Sequence, residues 1–182
     1  LVEQGVGSPQ ALSPGELTGA WKPPMSSRGT VVREAIATDL PGISRVRTSV
    51  RENLLTAEQL RARGITNESV AASFLADSKG WVAEHAGEIV AFAIADRGAL
   101  SIFALFVLPE WEDRGLGSRL LDLATRWLRE NGAGVIWLST GAGTKAAGFY
   151  ERRGWVAAGR HEHGDIRYEI DLSEAHLNKG TG

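Results

Sequence analysis

Apolar residues recur with a period near two through the middle of the chain and with a period near 3.6 just after it. Val31–Ile36 reads as a first strand. Thr38, Asp39 and Pro41 then mark a helix start, and Ile43, Val46 and Val50 continue at helical spacing. Residues 51–55 read as a helix end or turn. A second helix is expected over about 67–76, with Val70, Phe74 and Leu75 facing inward. Three strands follow, over 80–85, 88–96 and 100–108. The turns between them, Ala86-Gly87 and Arg97-Gly98, are short enough to predict an antiparallel meander.

Beyond Pro109 the period lengthens. Leu116, Leu120, Leu121, Ala124, Trp127 and Leu128 make one apolar stripe, with Arg119, Asp122, Arg126, Arg129 and Glu130 elsewhere, and Asn131-Gly132 closes this amphipathic helix. Val135–Leu138 is a short unbroken apolar run, expected to be buried on both faces. Strand, helix and strand in that order predict a right-handed parallel unit. A helix over about 144–152 and strands over 155–159 and 166–172 complete the pattern. The expected fold is α/β: a single mixed, mostly antiparallel central sheet, with one parallel strand pair joined by a crossover helix, flanked by helices.

Residues 1–28 lack this periodicity and carry Pro9, Pro14, Pro23 and Pro24 among four glycines. They are expected to form an extension ahead of a single domain over 29–182, with Met25 as a candidate natural start. A net charge of -2 argues against general nucleic-acid binding. No apolar run approaches the roughly 20 residues of a membrane span, and no secretory signal is visible. A cytoplasmic location is expected. The chain has no cysteine, so thiolate ligands and a cysteine nucleophile are excluded.

The candidate chemistry lies where the period changes. A strand ends at Pro109, a short loop carries Arg114, Gly115 and Gly117, and a helix begins. The first amides of a helix lack intrahelical acceptors, the dipole adds partial positive charge, and glycines let an anion approach the backbone. Such a turn is a pyrophosphate cradle, with Arg114 as an added positive charge. Residues 112–117 resemble the acetyl-CoA-binding motif of the GNAT superfamily, [QR]xxGx[GA], with Glu112 in place of the usual Gln or Arg and Asp113 where many members have glycine. A second segment, from Ala146 through Phe149 and Tyr150 to Gly154 and Trp155, is similar to that family's late motif AxxFYxxxGF. Gly143 stands where the family often has asparagine.

The resemblance spans about 31–172, with its specific motifs confined to 105–155. It implies N-acetyl transfer from acetyl-CoA to a small-molecule or peptide amine, without a metal, and a homodimer as an assembly. It implies a coenzyme site of Phe106, Val107, Glu112, Asp113, Arg114, Gly115, Leu116, Gly117, Ser118 and Phe149, in which strand backbone at Phe106 and Val107 pairs with the pantetheine arm. Tyr150 is the implied acid for the departing thiolate, a role a phenol of pKa about 10 can fill. Glu52, Asn53 and Thr140 are expected on the acceptor side, and Glu52, Glu84 and Glu112 are candidate bases by residue type.

Two readings compete. Residues 141–146 match GxGxx[GA], a dinucleotide fingerprint that would bring NAD, though only about 36 residues follow it. The acidic Glu112 and Asp113 suggest a non-catalytic acyl-CoA sensor. His161 and His163 read as a solvated turn rather than a metal site.

Overall fold

The computed structural model describes residues 29–50, 56–161 and 164–173; the expected N-terminal extension lies outside them. The elements are β1 (Val31–Glu34), α1 (Leu40–Ser49), α2 (Ala57–Ala62), α3 (Asn67–Leu75), β2 (Ser78–His85), β3 (Glu88–Asp96), β4 (Ser101–Val107), α4 (Leu116–Glu130), β5 (Val135–Thr140), α5 (Lys145–Glu151), β6 (Val156–Arg160) and β7 (Ile166–Asp171). Seven strands form one sheet in the order β1-β2-β3-β4-β5-β7-β6. Every neighbouring pair is antiparallel except β4 and β5, which are parallel and flank α4 in sequence. This is the expected mixed sheet. None of the helices among the described residues is long and apolar enough to cross a membrane.

The sheet carries helices on opposite faces. A Cβ at Gly80 would sit 2.7 Å from the Phe74 ring of α3. The next residue, Trp81, meets Trp127 of α4 edge-on at 6.1 Å. Successive strand residues point to opposite faces, so α3 and its neighbour α1 cover one side and α4 the other. The stripe of α4 is buried as expected at Leu116, Leu120, Leu121, Ala124 and Leu128, with Trp127 packed at its margin.

Three local expectations need correction. An additional helix, α2, follows the turn region. Thr56 Oγ1 accepts from the Gln59 amide at 3.1 Å, and Gln59 Oε1 accepts from the Thr56 amide at 2.8 Å, a reciprocal capping box. Leu60 is its one core position among the described side chains, so no apolar stripe announces it. Strand β2 begins at Ser78, two residues before Gly80. Strand β5 is not buried on both faces. Val135 is 47% exposed, while Ile136 and Leu138 are buried and Trp137 is half-buried between them. That alternation belongs to a strand with one face on the core.

A polar cluster ties the chain entry to the sheet. Arg33 donates to both carboxylate oxygens of Asp39, at 2.7 and 2.8 Å, and to Glu84. Asp39 also accepts from the Ile36 amide at 2.8 Å. The guanidinium and this amide hold the Asp39 carboxyl below its ordinary range against the opposing effect of burial. The stability this adds is complete above the ordinary aspartate value and is lost as pH falls through the lowered one. Asp39→Ala should cost about 2 kcal/mol at neutral pH, since Arg33 is partly solvated. A thermal melt at pH 7 should fall by about 4–8 °C; an unchanged midpoint would show the cluster to be inert.

Candidate active site

The parallel pair β4–β5 is joined at one registered position only, Ser101 opposite Trp137. There the Trp137 amide donates to the Leu100 carbonyl at 3.1 Å, and the indole N–H donates to the Ala99 carbonyl at 2.9 Å. Past that point the strands part. The pairing of β3 with β4 skips from Ala95–Ile102 to Ile94–Ala104, leaving Phe103 as an extra, bulged residue. A bulge bends its strand and frees its outer edge. The result is a cleft of about 590 Å³ along β4 and β5.

One wall is the loop between β4 and α4. Gly115 is the N-cap of α4 at φ 78° and supplies no side-chain cap, so the first amides of the helix keep their donors free. Space beside Gly117 is limited only by Val107 Cγ2 at 3.6 Å and Phe149 Cζ at 3.9 Å from a built Cβ. The second glycine loop is different. Thr144 caps α5 with its own side chain, accepting from the Ala147 amide at 3.1 Å and donating to the Gly141 carbonyl at 2.9 Å. The dinucleotide fingerprint at 141–146 thus presents a closed helix end, on a sheet with a single parallel pair. The helix end without a side-chain cap is that of α4.

Expected site residues Phe106, Val107, Glu112, Asp113, Gly115, Gly117, Ser118, Phe149, Tyr150 and Thr140 all line the cleft. Leu116 is buried in the core beneath it. Arg114 does not bring its charge to the cleft wall. Its guanidinium lies over the Trp111 ring at 4.8 Å and donates to the Glu110 carbonyl at 2.8 Å. Buried Trp111 offers a flat apolar face one turn back, and the arginine folds onto it. Cations near the cradle come from residues the sequence did not single out. Lys145 donates to Glu112 at 2.7 Å and to Asp113 at 3.0 Å, and these acids raise its pKa. Arg153 donates to Ser118 at 2.9 Å and pairs with Asp122. The two acidic departures in the motif are therefore answered across the cleft by Lys145. Asp113 holds φ 58°, where glycine sits more easily.

Tyr150 is 6% exposed and packs edge-on against Phe149 and Trp155 at 5.2 and 5.9 Å. Its hydroxyl has no hydrogen-bond partner among the described residues, yet it is not one of the enclosed unpaired polar atoms, a class that holds only Arg114 Nη1. The hydroxyl therefore opens onto the cleft. Burial pushes the phenol above the ordinary tyrosine range, so it stays protonated through neutral pH. A raised folded value means that stability is complete below the ordinary value near 10 and is lost as pH rises beyond it, by about 1 kcal/mol per pH unit. Urea midpoints measured at pH 9 and pH 11 should fall more steeply for the wild type than for Tyr150→Phe; equal slopes would refute this environment.

Glu84 is removed as a base, because it is held by Arg33 at the β1–β2 side of the sheet. Glu112 lines the cleft but is paired with Lys145. Glu52 and Asn53 lie outside the described residues. The cleft also collects Arg47, Arg63, His161 and Asp165. His161 meets Trp137 edge-on at 5.0 Å, a contact invisible in a motif that reads locally as a turn.

The sequence model of the acetyltransferase (GNAT) family matches residues 45–155. No curated protein matches the chain. Among solved structures, PaiA N-acetyltransferase from Thermoplasma acidophilum, in complex with coenzyme A, is similar at a TM-score of 0.66 and 16% identity, over 81% of this chain and 99% of that one. The ribosomal-protein-S18-alanine N-acetyltransferase from Escherichia coli is similar at a TM-score of 0.61 and 20% identity, over 82% of this chain and 97% of that one. A GNAT-family acetyltransferase from Staphylococcus aureus gives 0.65 and 15%, over 79% and 99%. At these identities the likeness is one of fold.

Proposed function

The chain belongs to the acetyltransferase (GNAT) family, and from that premise we propose that it transfers an acetyl group from acetyl-CoA to an amine by direct attack in a ternary complex. The observation that carries this reading is the splayed β4–β5 cleft, with the uncapped amides of α4 on one wall and the Tyr150 hydroxyl opening into it. The amides around Gly115 and Gly117 suit a pyrophosphate. The freed edge of β4 at Phe106 and Val107 suits an extended amide-bearing arm, paired as a strand would be. The similar PaiA structure contains coenzyme A, which supports a coenzyme as the ligand.

Bound acetyl-CoA supplies an activated thioester. The residues here hold it, polarise its carbonyl through a β4 amide near Val107, and answer the sulfur as the carbon–sulfur bond breaks. The attacking nitrogen loses its proton to a base or water, and Tyr150 donates to the sulfur. A phenol of raised pKa remains a match because the thiolate is desolvated in the same cleft and becomes more basic too. The chain has no cysteine to carry an acyl intermediate, which favours direct attack with both substrates bound.

A thermal melt with acetyl-CoA at about 100 times its Kd should rise by about 5–10 °C, and NAD should give no shift. Initial-velocity lines should then intersect when both substrates are varied. Parallel lines, or a shift with NAD alone, would overturn the proposal.

A further inference from the structure

Arg47 projects from α1 into the cleft, half-buried, with its guanidinium carbon 5.5 Å from the Phe103 ring centre and 5.4 Å from that of Phe106. Arg63, just past α2, lines the same end. Among the described residues neither forms an ion pair. Of the acidic residues lining the cleft, Glu112 and Asp113 are engaged by Lys145, and Asp165 forms no ion pair with either arginine. Burial lowers the pKa of Arg47, and the like charge of Arg63 lowers it further. A half-desolvated guanidinium beside a second cation is an unfavourable arrangement that a bound anion relieves.

The coenzyme's phosphates are not the natural partner. Phe106 turns to the α1 face of the sheet, where Arg47 covers it. Val107 turns to the α4 face, where it meets Gly117. The arginines and the anion cradle thus lie on opposite sides of β4. Building on the transfer reading above, we infer that the acceptor is a small amine that also carries an anionic group, held by Arg47 and Arg63 while its nitrogen reaches the thioester. The planar guanidinium fork accepts either a carboxylate or a phosphate.

The test uses the full chain with coenzyme A bound. Free α-amino acids are titrated by calorimetry against their carboxamides, and phosphoethanolamine against ethanolamine. At least one anionic amine should bind about tenfold or more tighter than its neutral counterpart, and Arg47→Gln and Arg63→Gln should each shrink that ratio toward one. Preference for the amino acid identifies a carboxylate, and preference for phosphoethanolamine a phosphate. Arg47→Lys, which keeps the charge without the fork, should retain part of the ratio. Equal binding of charged and neutral amines, or binding of neither, overturns the inference. So does an Arg47→Gln variant whose main defect is in coenzyme affinity. Tight binding of anionic amines that are never acetylated would keep Arg47 and Arg63 as an anion site but overturn the acceptor role, and with it the transfer reading.

Discussion

Gly117→Asp should weaken acetyl-CoA binding by about 100-fold or more without destabilising the protein. The two effects separate because they come from different physics. An aspartate in the first turn of α4 complements the helix dipole and replaces a flexible glycine, so the helix itself gains. The Cβ meets Val107 and Phe149 at ordinary contact distances of 3.6 and 3.9 Å, so nothing must shift. The carboxylate, however, occupies the free amides and repels the phosphates that would bind them. A calorimetric titration beside a thermal melt reads both quantities. Retained affinity would mean that the pyrophosphate is not held at this helix end.

Tyr150→Phe should lower kcat by about 100-fold or more, with acetyl-CoA affinity changed by less than about threefold. The ring is enclosed by Phe149 and Trp155, and phenylalanine fills the same space. The hydroxyl forms no hydrogen bond with the described residues, so its loss strands no buried partner. On the proposed mechanism, what disappears is the donor that meets the sulfur as the thioester breaks. An unchanged kcat would assign that proton to water or to another group lining the cleft.

The fold was legible because its signals are local and mutually consistent. The change from period two to period 3.6 across Pro109 and Gly115 marks the strand, the loop and the helix in order, and the α4 stripe reads directly into burial. Strand β5 is less buried than its sequence implies. Four apolar residues in a row resemble a doubly buried strand, and only the structure shows Val135 facing out. Helix α2 is not legible in the sequence because six residues are too few to show a helical period.

The site was legible where a motif concentrates it and hidden where tertiary structure assembles it. Gly115, Gly117, Phe149 and Tyr150 meet because β4, α4 and α5 converge on one cleft. The path of the Arg114 side chain depends on Trp111, a neighbour whose burial no local pattern announces. Arg47 reaches Phe103 and Phe106 from more than 50 residues away, and Lys145 crosses from α5 to the acids of the α4 loop. Charge balance at a cleft is a property of the folded chain: Glu112 and Asp113 are two bare acids in the sequence and partners of Lys145 in the structure.

Acetyl transfer is tested most directly by mass spectrometry of the full-length chain with isotope-labelled acetyl-CoA and a panel of amines, charged and neutral. An active transferase yields at least one amine heavier by the labelled acetyl group, with free coenzyme A released in equal amount, and Tyr150→Phe slows both together. Acetyl-CoA that binds but stays intact with every amine, or is cleaved to acetate with no acetylated amine, would contradict transfer and leave a coenzyme-binding domain.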